Sequence, residues 1–255
     1  MTLLHTDEVG VLAEIFSSFQ GEGPLVGRRQ VFVRTAGCNL SCSYCDSAKF
    51  CREVEFCEVE RDPGSGLLLR RDNPVTSSWA NEEILGLWAS GTHSVSITGG
   101  EPLCQPEFAR ALARCCAGEG LPVYFETNGF SERRFLRILD RIDFAAVDVK
   151  LPSHGACPPA DWRRLVENEL GCIKSASRAG AVTIAKIVIL ESTPIEEIDR
   201  LCSRLEGMEA ALVLQPASGI GRPSPEKLML IHQAASEHRG DVLVIPQAHK
   251  MMGVL

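Results

Sequence analysis

The densest chemistry in the chain lies in Gly37-Cys38-Asn39-Leu40-Ser41-Cys42-Ser43-Tyr44-Cys45-Asp46, where three thiols are spaced C-x3-C-x2-C. Thiols this close together on one loop can wrap a single metal centre. A structural zinc ion takes four protein ligands to complete its tetrahedron, and a four-iron cluster held wholly by protein takes four thiolates. Three thiolates on a four-iron cluster leave one iron open to bind something else. Two other readings stay open from the residues alone. The cysteines could pack as small hydrophobes, or a zinc site could be completed by a more distant thiol such as Cys51 or Cys57. Asn39, Ser41, Ser43 and Asp46 interleave the thiols with polar groups, which is poor material for a core segment.

Four further polar groups recur at a consistent place: Thr98-Gly99-Gly100-Glu101-Pro102, Glu126-Thr127-Asn128-Gly129, Asp148 with Lys150, and Gln215-Pro216. Each follows or ends a short β-branched run. Such runs, at 31–34, 94–98, 123–126, 145–150, 183–190, 211–214 and 242–245, alternate with helical stretches, the pattern of βα units on a parallel sheet. Thr193-Pro194-Ile195-Glu196 reads as a capping box opening a helix, and Ser224 and Ser131 read as N-caps of two others. Residues 51–73 break the rhythm. Alternating residues around a Pro-Gly turn there predict a β-hairpin insertion within a single domain spanning 1–255. In parallel βα folds the C-terminal strand ends form the site face. Glycine and proline alone would explain turns, but not carboxylates and a lysine at those ends.

The cysteine spacing, followed by the Gly-Gly-Glu-Pro segment behind a strand, resembles the signature of the radical S-adenosylmethionine superfamily. That resemblance implies that Cys38, Cys42 and Cys45 hold a [4Fe–4S] cluster whose open iron chelates S-adenosylmethionine. One electron then cleaves the sulfonium to a 5′-deoxyadenosyl radical that abstracts hydrogen from substrate. It also implies that Thr98, Gly99, Gly100 and Glu101 bind the amino end of that cofactor and that Tyr44 lies beside the adenine; plain packing is the alternative for Tyr44.

A finer resemblance runs from residue 14 to 250. Glu14-Ile15-Phe16-Ser17-Ser18-Phe19-Gln20-Gly21-Glu22-Gly23-Pro24, Val31 through Leu40, Cys45-Asp46-Ser47 and Pro246-Gln247-Ala248-His249-Lys250 are similar to the 7-carboxy-7-deazaguanine synthase family. The resemblance implies an incomplete, modified (β/α)6 barrel with parallel strands, and conversion of 6-carboxy-5,6,7,8-tetrahydropterin to 7-carboxy-7-deazaguanine with loss of ammonia. It implies a homodimer, Mg2+ as a further cofactor, and an external one-electron reductant of flavodoxin or ferredoxin type. Gln20, Glu22, Arg34 and His249 match substrate-binding positions. Chemically, Glu22 could accept from the pterin N–H edge and Arg34 could pair bidentately with the carboxylate. A plain turn at Gln20–Gly23 and a surface charge at Arg34 are the bland alternatives. Asp46, Glu126, Asn128, Asp148, Lys150 and Gln215 are expected around S-adenosylmethionine. Ser47 departs from the family's usual threonine, keeping the hydroxyl oxygen that would serve Mg2+.

Composition bounds these readings. The chain has 255 residues, 45% hydrophobic and 23% charged, which excludes a disordered protein. A net charge of −7, with basic residues clustered at most in pairs, argues against nucleic acid as a partner. No apolar run approaches a membrane span, and acids stand where a signal peptide carries its basic patch, so a cytoplasmic location is expected. Eleven cysteines without disulfide-scaffold spacing fit a reducing compartment, and those outside the loop lack the spacing of a second cluster. The rival activities are a glycyl-radical-activating enzyme, which would not require the pterin-reading set, and a non-catalytic zinc or iron–sulfur scaffold.

Overall fold

In a computed structural model, which describes residues 7–52, 54–219 and 221–254, the β-branched runs become strands and the stretches between them helices. Residues 1–6, part of the acidic N-terminal segment, lie outside the described residues. The strands are β1 (Val9–Gly10), β2 (Leu12–Phe19), β3 (Arg29–Thr35), β4 (Phe56–Glu60), β5 (Leu68–Asp72), β6 (Val75–Thr76), β7 (Thr92–Gly99), β8 (Val123–Thr127), β9 (Phe144–Asp148), β10 (Val182–Ile189), β11 (Ala211–Pro216) and β12 (Val242–Val244). The helices are α1 (Ser77–Leu87), α2 (Pro106–Gly118), α3 (Glu132–Phe135), α4 (Pro159–Arg178), α5 (Ile195–Leu205), α6 (Pro225–Ser236) and α7 (Ala248–Met252).

Strands β3, β7, β8, β9, β10, β11 and β12 lie parallel in that order, and α1 to α6 supply the six crossovers between them. Strand β2 pairs antiparallel with β3, and β4 and β5 extend the sheet beyond it. The row does not close on itself: β12 and β5 are its two edges. This is the incomplete (β/α)6 barrel with parallel strands that the family resemblance implies.

Side-chain alternation along these strands separates core from site. One face carries Val31, Val33, Val95, Ile97, Val123, Phe125, Ala145, Val147, Ala185, Ile187, Leu212 and Leu214, all packed with helix residues such as Phe108, Leu112, Ile173, Ile198 and Ile231 into the main core. The other face begins apolar, with Tyr124, Ala146, Ile184 and Val213 clustered. Two residues further along the same strands it turns polar: Glu126, Asp148, Lys186 and Gln215. Register holds these groups side by side, because Asp148 pairs with Lys186 and Val188 with Gln215.

Several local expectations change. The hydroxyl of Thr193 accepts from the Leu190 amide at 2.9 Å, and α5 begins after Pro194 without a side-chain cap, so the capping box at 193–196 does not form. Proline at 194 fixes the backbone for entry and leaves the threonine free to close the preceding turn. Ser224 and Ser131 do cap α6 and α3. The strand expected at 145–150 ends at Asp148, and the Lys150 amide donates to the Glu169 carboxylate on α4 instead of continuing the strand. Residues 56–72 form a hairpin that joins the main sheet through β2. Among the described residues no helix is long and apolar enough to cross a bilayer.

Candidate active site

A cavity of about 250 Å3 opens at the C-terminal strand ends. Its wall includes Cys38, Cys42, Cys45, Ser47, Gln20, Glu22, Arg34, His249, Tyr44, Asp46, Thr98, Gly99, Gly100, Glu101, Glu126, Asn128, Asp148, Lys150 and Gln215, so every residue that the family resemblance assigns to the site is brought together.

The cysteine loop leaves β3 at Gly37 and is pinned on both sides. Gly37 and Cys38 donate backbone N–H groups to the carbonyls of Phe50 (2.8 Å) and Cys51 (3.1 Å). Ser41 and Ser43 donate to Ala156 (3.0 Å) and His154 (3.3 Å). Behind it stands Gly100, where an added Cβ would lie 2.2 Å from the Gly37 carbonyl oxygen; only glycine lets the two segments approach. Cys38 Sγ accepts from the Leu40 amide at 3.5 Å and lies 3.9 Å from the Asn128 side-chain amide. Burial pushes the thiols of Cys38 and Cys42 above their ordinary pKa. Three soft thiols on a pinned loop, with N–H donors aimed at sulfur, fit an iron–sulfur cluster, whose binding would displace their protons. A fourth thiol is close: Cys51 Sγ lies 3.8 Å from Cys45 Sγ. Burial and the neighbouring Cys45 push its pKa up to about 12. Cys57, the other distant candidate, is buried in the main core away from the cavity.

The Gly-Gly-Glu segment does more than line the wall. Glu101 is buried, its Oε1 accepting from Leu103 N (2.8 Å) and Thr127 Oγ1 (2.6 Å) and its Oε2 from Asn128 N (2.6 Å). It thereby ties β7 to the end of β8. Burial outweighs those bonds and raises its pKa to about 7. Tyr44 packs edge-on against His154 and also meets Val188, Leu190 and Ala217. His154 is buried, with Nε2 2.9 Å from the Val188 carbonyl, and Nδ1 accepts from Leu151 N (3.0 Å) and faces the Tyr44 hydroxyl (3.2 Å). That network assigns the Nε2–H tautomer. Burial and the Lys150 charge lower the His154 pKa to about 3, so it stays neutral.

A continuous ionic network crosses the cavity wall. Ser47 Oγ donates to Asp46 Oδ1 at 3.0 Å, and Asp46 Oδ2 accepts from Gln247 Nε2 (2.8 Å) and Lys250 Nζ (2.9 Å). Partial burial would raise the Asp46 pKa, but those donors outweigh it and hold the carboxylate well below its usual range. Gln247 Nε2 also donates to Glu22 Oε1 at 2.7 Å. Lys186, on β10, then binds Glu22 Oε2, Glu126 Oε1 and, at 3.2 Å, Asp148 Oδ1. Asp148 Oδ2 lies 3.5 Å from Lys150 Nζ. Burial opposes the charge of both lysines, yet the surrounding carboxylates hold each well above its ordinary pKa.

The substrate-reading set is internally braced. Gln20 donates from Nε2 to Gln30 Oε1 (2.9 Å) and accepts from Glu22 N (3.0 Å), so part of its amide holds the loop rather than facing the cavity. Arg34 Nε is 3.0 Å from Glu14 Oε2, with Phe16 and Phe50 rings flanking the guanidinium. His249 meets this loop from the other end of the chain, close enough that a Cβ on Gly21 would lie 2.0 Å from its Nδ1. Sequence reasoning missed Lys186, Gln247, His154 and Glu169, the last a buried acid accepting from the Lys150 amide at 3.2 Å and pushed well above its ordinary pKa by burial. A lysine inside the apolar run Thr183-Ile184-Ala185-Lys186-Ile187-Val188 was the available signal.

The model of the radical SAM superfamily matches residues 32–205. A 7-carboxy-7-deazaguanine synthase from Geobacter sulfurreducens is 35% identical over 254 residues, spanning 96% of this chain and 97% of its own. Another, from Thermococcus kodakarensis, is 36% identical and spans 96% and 99%. In structure, the chain is similar to QueE from Escherichia coli, with a TM-score of 0.64 at 20% identity, covering 94% and 95% of the two chains. A radical SAM methyltransferase from Sphaerobacter thermophilus shares the fold at a TM-score of 0.63 and 16% identity, covering 86% of this chain and 66% of that one.

Proposed function

This chain belongs to the 7-carboxy-7-deazaguanine synthase family of the radical S-adenosylmethionine superfamily, and from that premise we propose how its residues divide the work. It is a carbon–nitrogen lyase that converts 6-carboxy-5,6,7,8-tetrahydropterin to 7-carboxy-7-deazaguanine with loss of ammonia, with a [4Fe–4S] cluster and S-adenosylmethionine as cofactors. When bound, those two cofactors supply the one-electron chemistry that no side chain here can perform.

Cys38, Cys42 and Cys45 hold the cluster in this reading, and the thiol of Cys51 stays free. Thr98, Gly99, Gly100, Asn128, Lys150 and Gln215 bind S-adenosylmethionine between the cluster loop and the strand ends, with Tyr44 packed beside it. Glu101 acts behind them, keeping Thr127 and Asn128 in place. Glu22 accepts from the pterin N–H edge, braced by Gln20. Arg34, oriented through Nε by Glu14, offers its terminal nitrogens to the substrate carboxylate. His249 closes the pocket over Gly21. Ser47 and the ionised Asp46 present hard oxygens suited to Mg2+. The observation that carries this reading is that residues as far apart as Gln20 and His249 line one cavity with the three thiols.

The remaining proposals rest on coarser support. The chain acts as one radical SAM core with the 51–73 hairpin added to its sheet. Leu67, Leu68 and Leu69, at and before the free edge strand β5, stay more than a third exposed, which supports pairing with a second copy. Thiols free throughout the described residues suit a reducing cytoplasm, and the one electron the cluster needs comes from an external flavodoxin- or ferredoxin-type reductant.

The test is anaerobic incubation of the cluster-loaded protein with the carboxytetrahydropterin, S-adenosylmethionine, Mg2+ and reductant. Mass detection of 7-carboxy-7-deazaguanine is the expected result. A fully loaded protein that cleaves S-adenosylmethionine but forms none of that product overturns the substrate assignment in favour of an activating enzyme.

A further inference from the structure

Three cavity elements converge on Lys186. Its ammonium, 5% exposed, meets Glu22 from the loop after β2, Glu126 from β8 and Asp148 from β9. Burial opposes the charge of Glu126 and Asp148. Glu22 sits between β2 and β3, and among the described residues its other oxygen accepts from the Gln247 amide. Without a cation behind it, Glu22 would face both Glu126 and Asp148 across a buried gap.

We propose that Lys186 is the positioning residue of the substrate pocket: its buried ammonium holds Glu22 in place and ties it to Glu126 and Asp148, so that a fixed carboxylate meets the pterin N–H edge. This rests on Glu22 reading the pterin, as argued above. The charge is needed as well as the contact, because a neutral side chain at this position would leave the three carboxylates without the cation that draws them together. Asp148 links the same ammonium onward to Lys150, but Lys150 keeps its own contacts with the Tyr44 ring and with Trp162 through its carbonyl. The pterin end therefore depends on Lys186 more than the S-adenosylmethionine end does.

The test is Lys186→Met, which keeps the length of the side chain and removes the charge. In cluster-loaded protein without reductant, so that no turnover occurs, equilibrium dialysis should show pterin affinity weakened about 10- to 100-fold, the effect of losing a charge-assisted contact. S-adenosylmethionine affinity should stay within about threefold on the same arithmetic. Lys186→Arg should retain most of the affinity. If Lys186→Met does not fold, Lys186→Met combined with Glu126→Gln removes one charge of each sign, and the same loss of pterin affinity is expected. Wild-type pterin affinity in Lys186→Met or in the double variant overturns the proposal. Equal loss of both ligands, or no rescue by Lys186→Arg, assigns Lys186 to the fold instead and also overturns it. Wild-type protein that binds S-adenosylmethionine but not the pterin would overturn the substrate reading, a separate result.

Discussion

Gly100→Ala puts the geometry of the cluster loop to a quantitative test. A Cβ at this position would lie 2.2 Å from the Gly37 oxygen and 2.8 Å from its carbon, with the Phe50 oxygen at 3.1 Å. All three are backbone atoms, so no rotamer change relieves them. Ordinary contact begins at 3.4 Å, so the two segments must part by about an ångström. That separation breaks the bond from Glu101 N to Gly37 O (2.8 Å) and strains the one from Gly100 N to Thr35 O (2.9 Å). Two backbone hydrogen bonds at about 1 kcal/mol each, with about 1–3 kcal/mol for overpacking, give about 3–5 kcal/mol. For a domain of this size that lowers the melting temperature by about 10 °C. Because Gly37 leads directly into Cys38, the variant should also reconstitute with much less iron and sulfide than wild type. Gly86→Ala is the control: Gly86 is exposed on α1 with nothing within 4 Å of its added Cβ, and alanine there should stabilise by up to about 1 kcal/mol. Melting curves and iron analysis on both proteins decide the matter. A Gly100→Ala protein that melts with the control and binds a full cluster would refute the account of how this loop is held.

Three other outcomes follow from the site. Cys51→Ser should keep four irons per chain and the spectroscopic response to S-adenosylmethionine, whereas Cys42→Ser should lose the cluster; loss of iron in Cys51→Ser would mean four thiolates and no open iron. Ser47→Ala should lower turnover and raise the Mg2+ concentration needed for half-maximal rate, and an unchanged Mg2+ dependence would remove Ser47 from the metal site. His154 has a folded pKa of about 3, below its unfolded value of 6.5, so its contribution to stability is complete above pH 6.5. That contribution drains away as pH falls towards 3, at up to about 1.4 kcal/mol per pH unit. Urea midpoints of wild type should therefore fall more steeply between pH 6.5 and 5 than those of non-titrating His154→Gln, and parallel slopes would show that His154 protonates freely in the fold.

The parallel strands were legible because each is a compact run of β-branched residues ending in polar groups, and the thiol loop because its spacing is local. What the sequence hid is non-local. Lys186 looks like an isolated polar residue in a buried strand until register sets it beside Asp148 and the fold brings Glu22 and Glu126 to it. Gln247 and Lys250 matter only because the C-terminal segment returns to the cysteine loop at Asp46. Strand β2 was recognised as a motif but not as a strand, since a register shift between Leu12 and Glu14 spoils its alternation. At 193–196 the local signal was present and misleading: threonine and glutamate stand at capping-box spacing, but the threonine hydroxyl finds the Leu190 amide first. Side-chain competition for backbone donors is settled by the turn before the helix, which spacing does not encode.

The same alternation that builds the core also sets the electrostatics of the site. Every second residue of β8, β9 and β10 lies on the sheet face that ends in the cavity, so placing acids at Glu126 and Asp148 and a base at Lys186 leaves the packed face untouched. On the cavity side Arg34 is matched by Glu14, and Lys250 by Asp46. The central group holds two ammoniums, Lys150 and Lys186, against three carboxylates, Glu22, Glu126 and Asp148, and so keeps a surplus negative charge in a low-dielectric setting. Such a surplus repels anions and favours cationic occupants, which a sulfonium bearing an ammonium satisfies and a divalent metal beside Asp46 would satisfy again. On the proposed reading the substrate's own carboxylate would be received away from that group, at Arg34 on β3, which lines the same cavity.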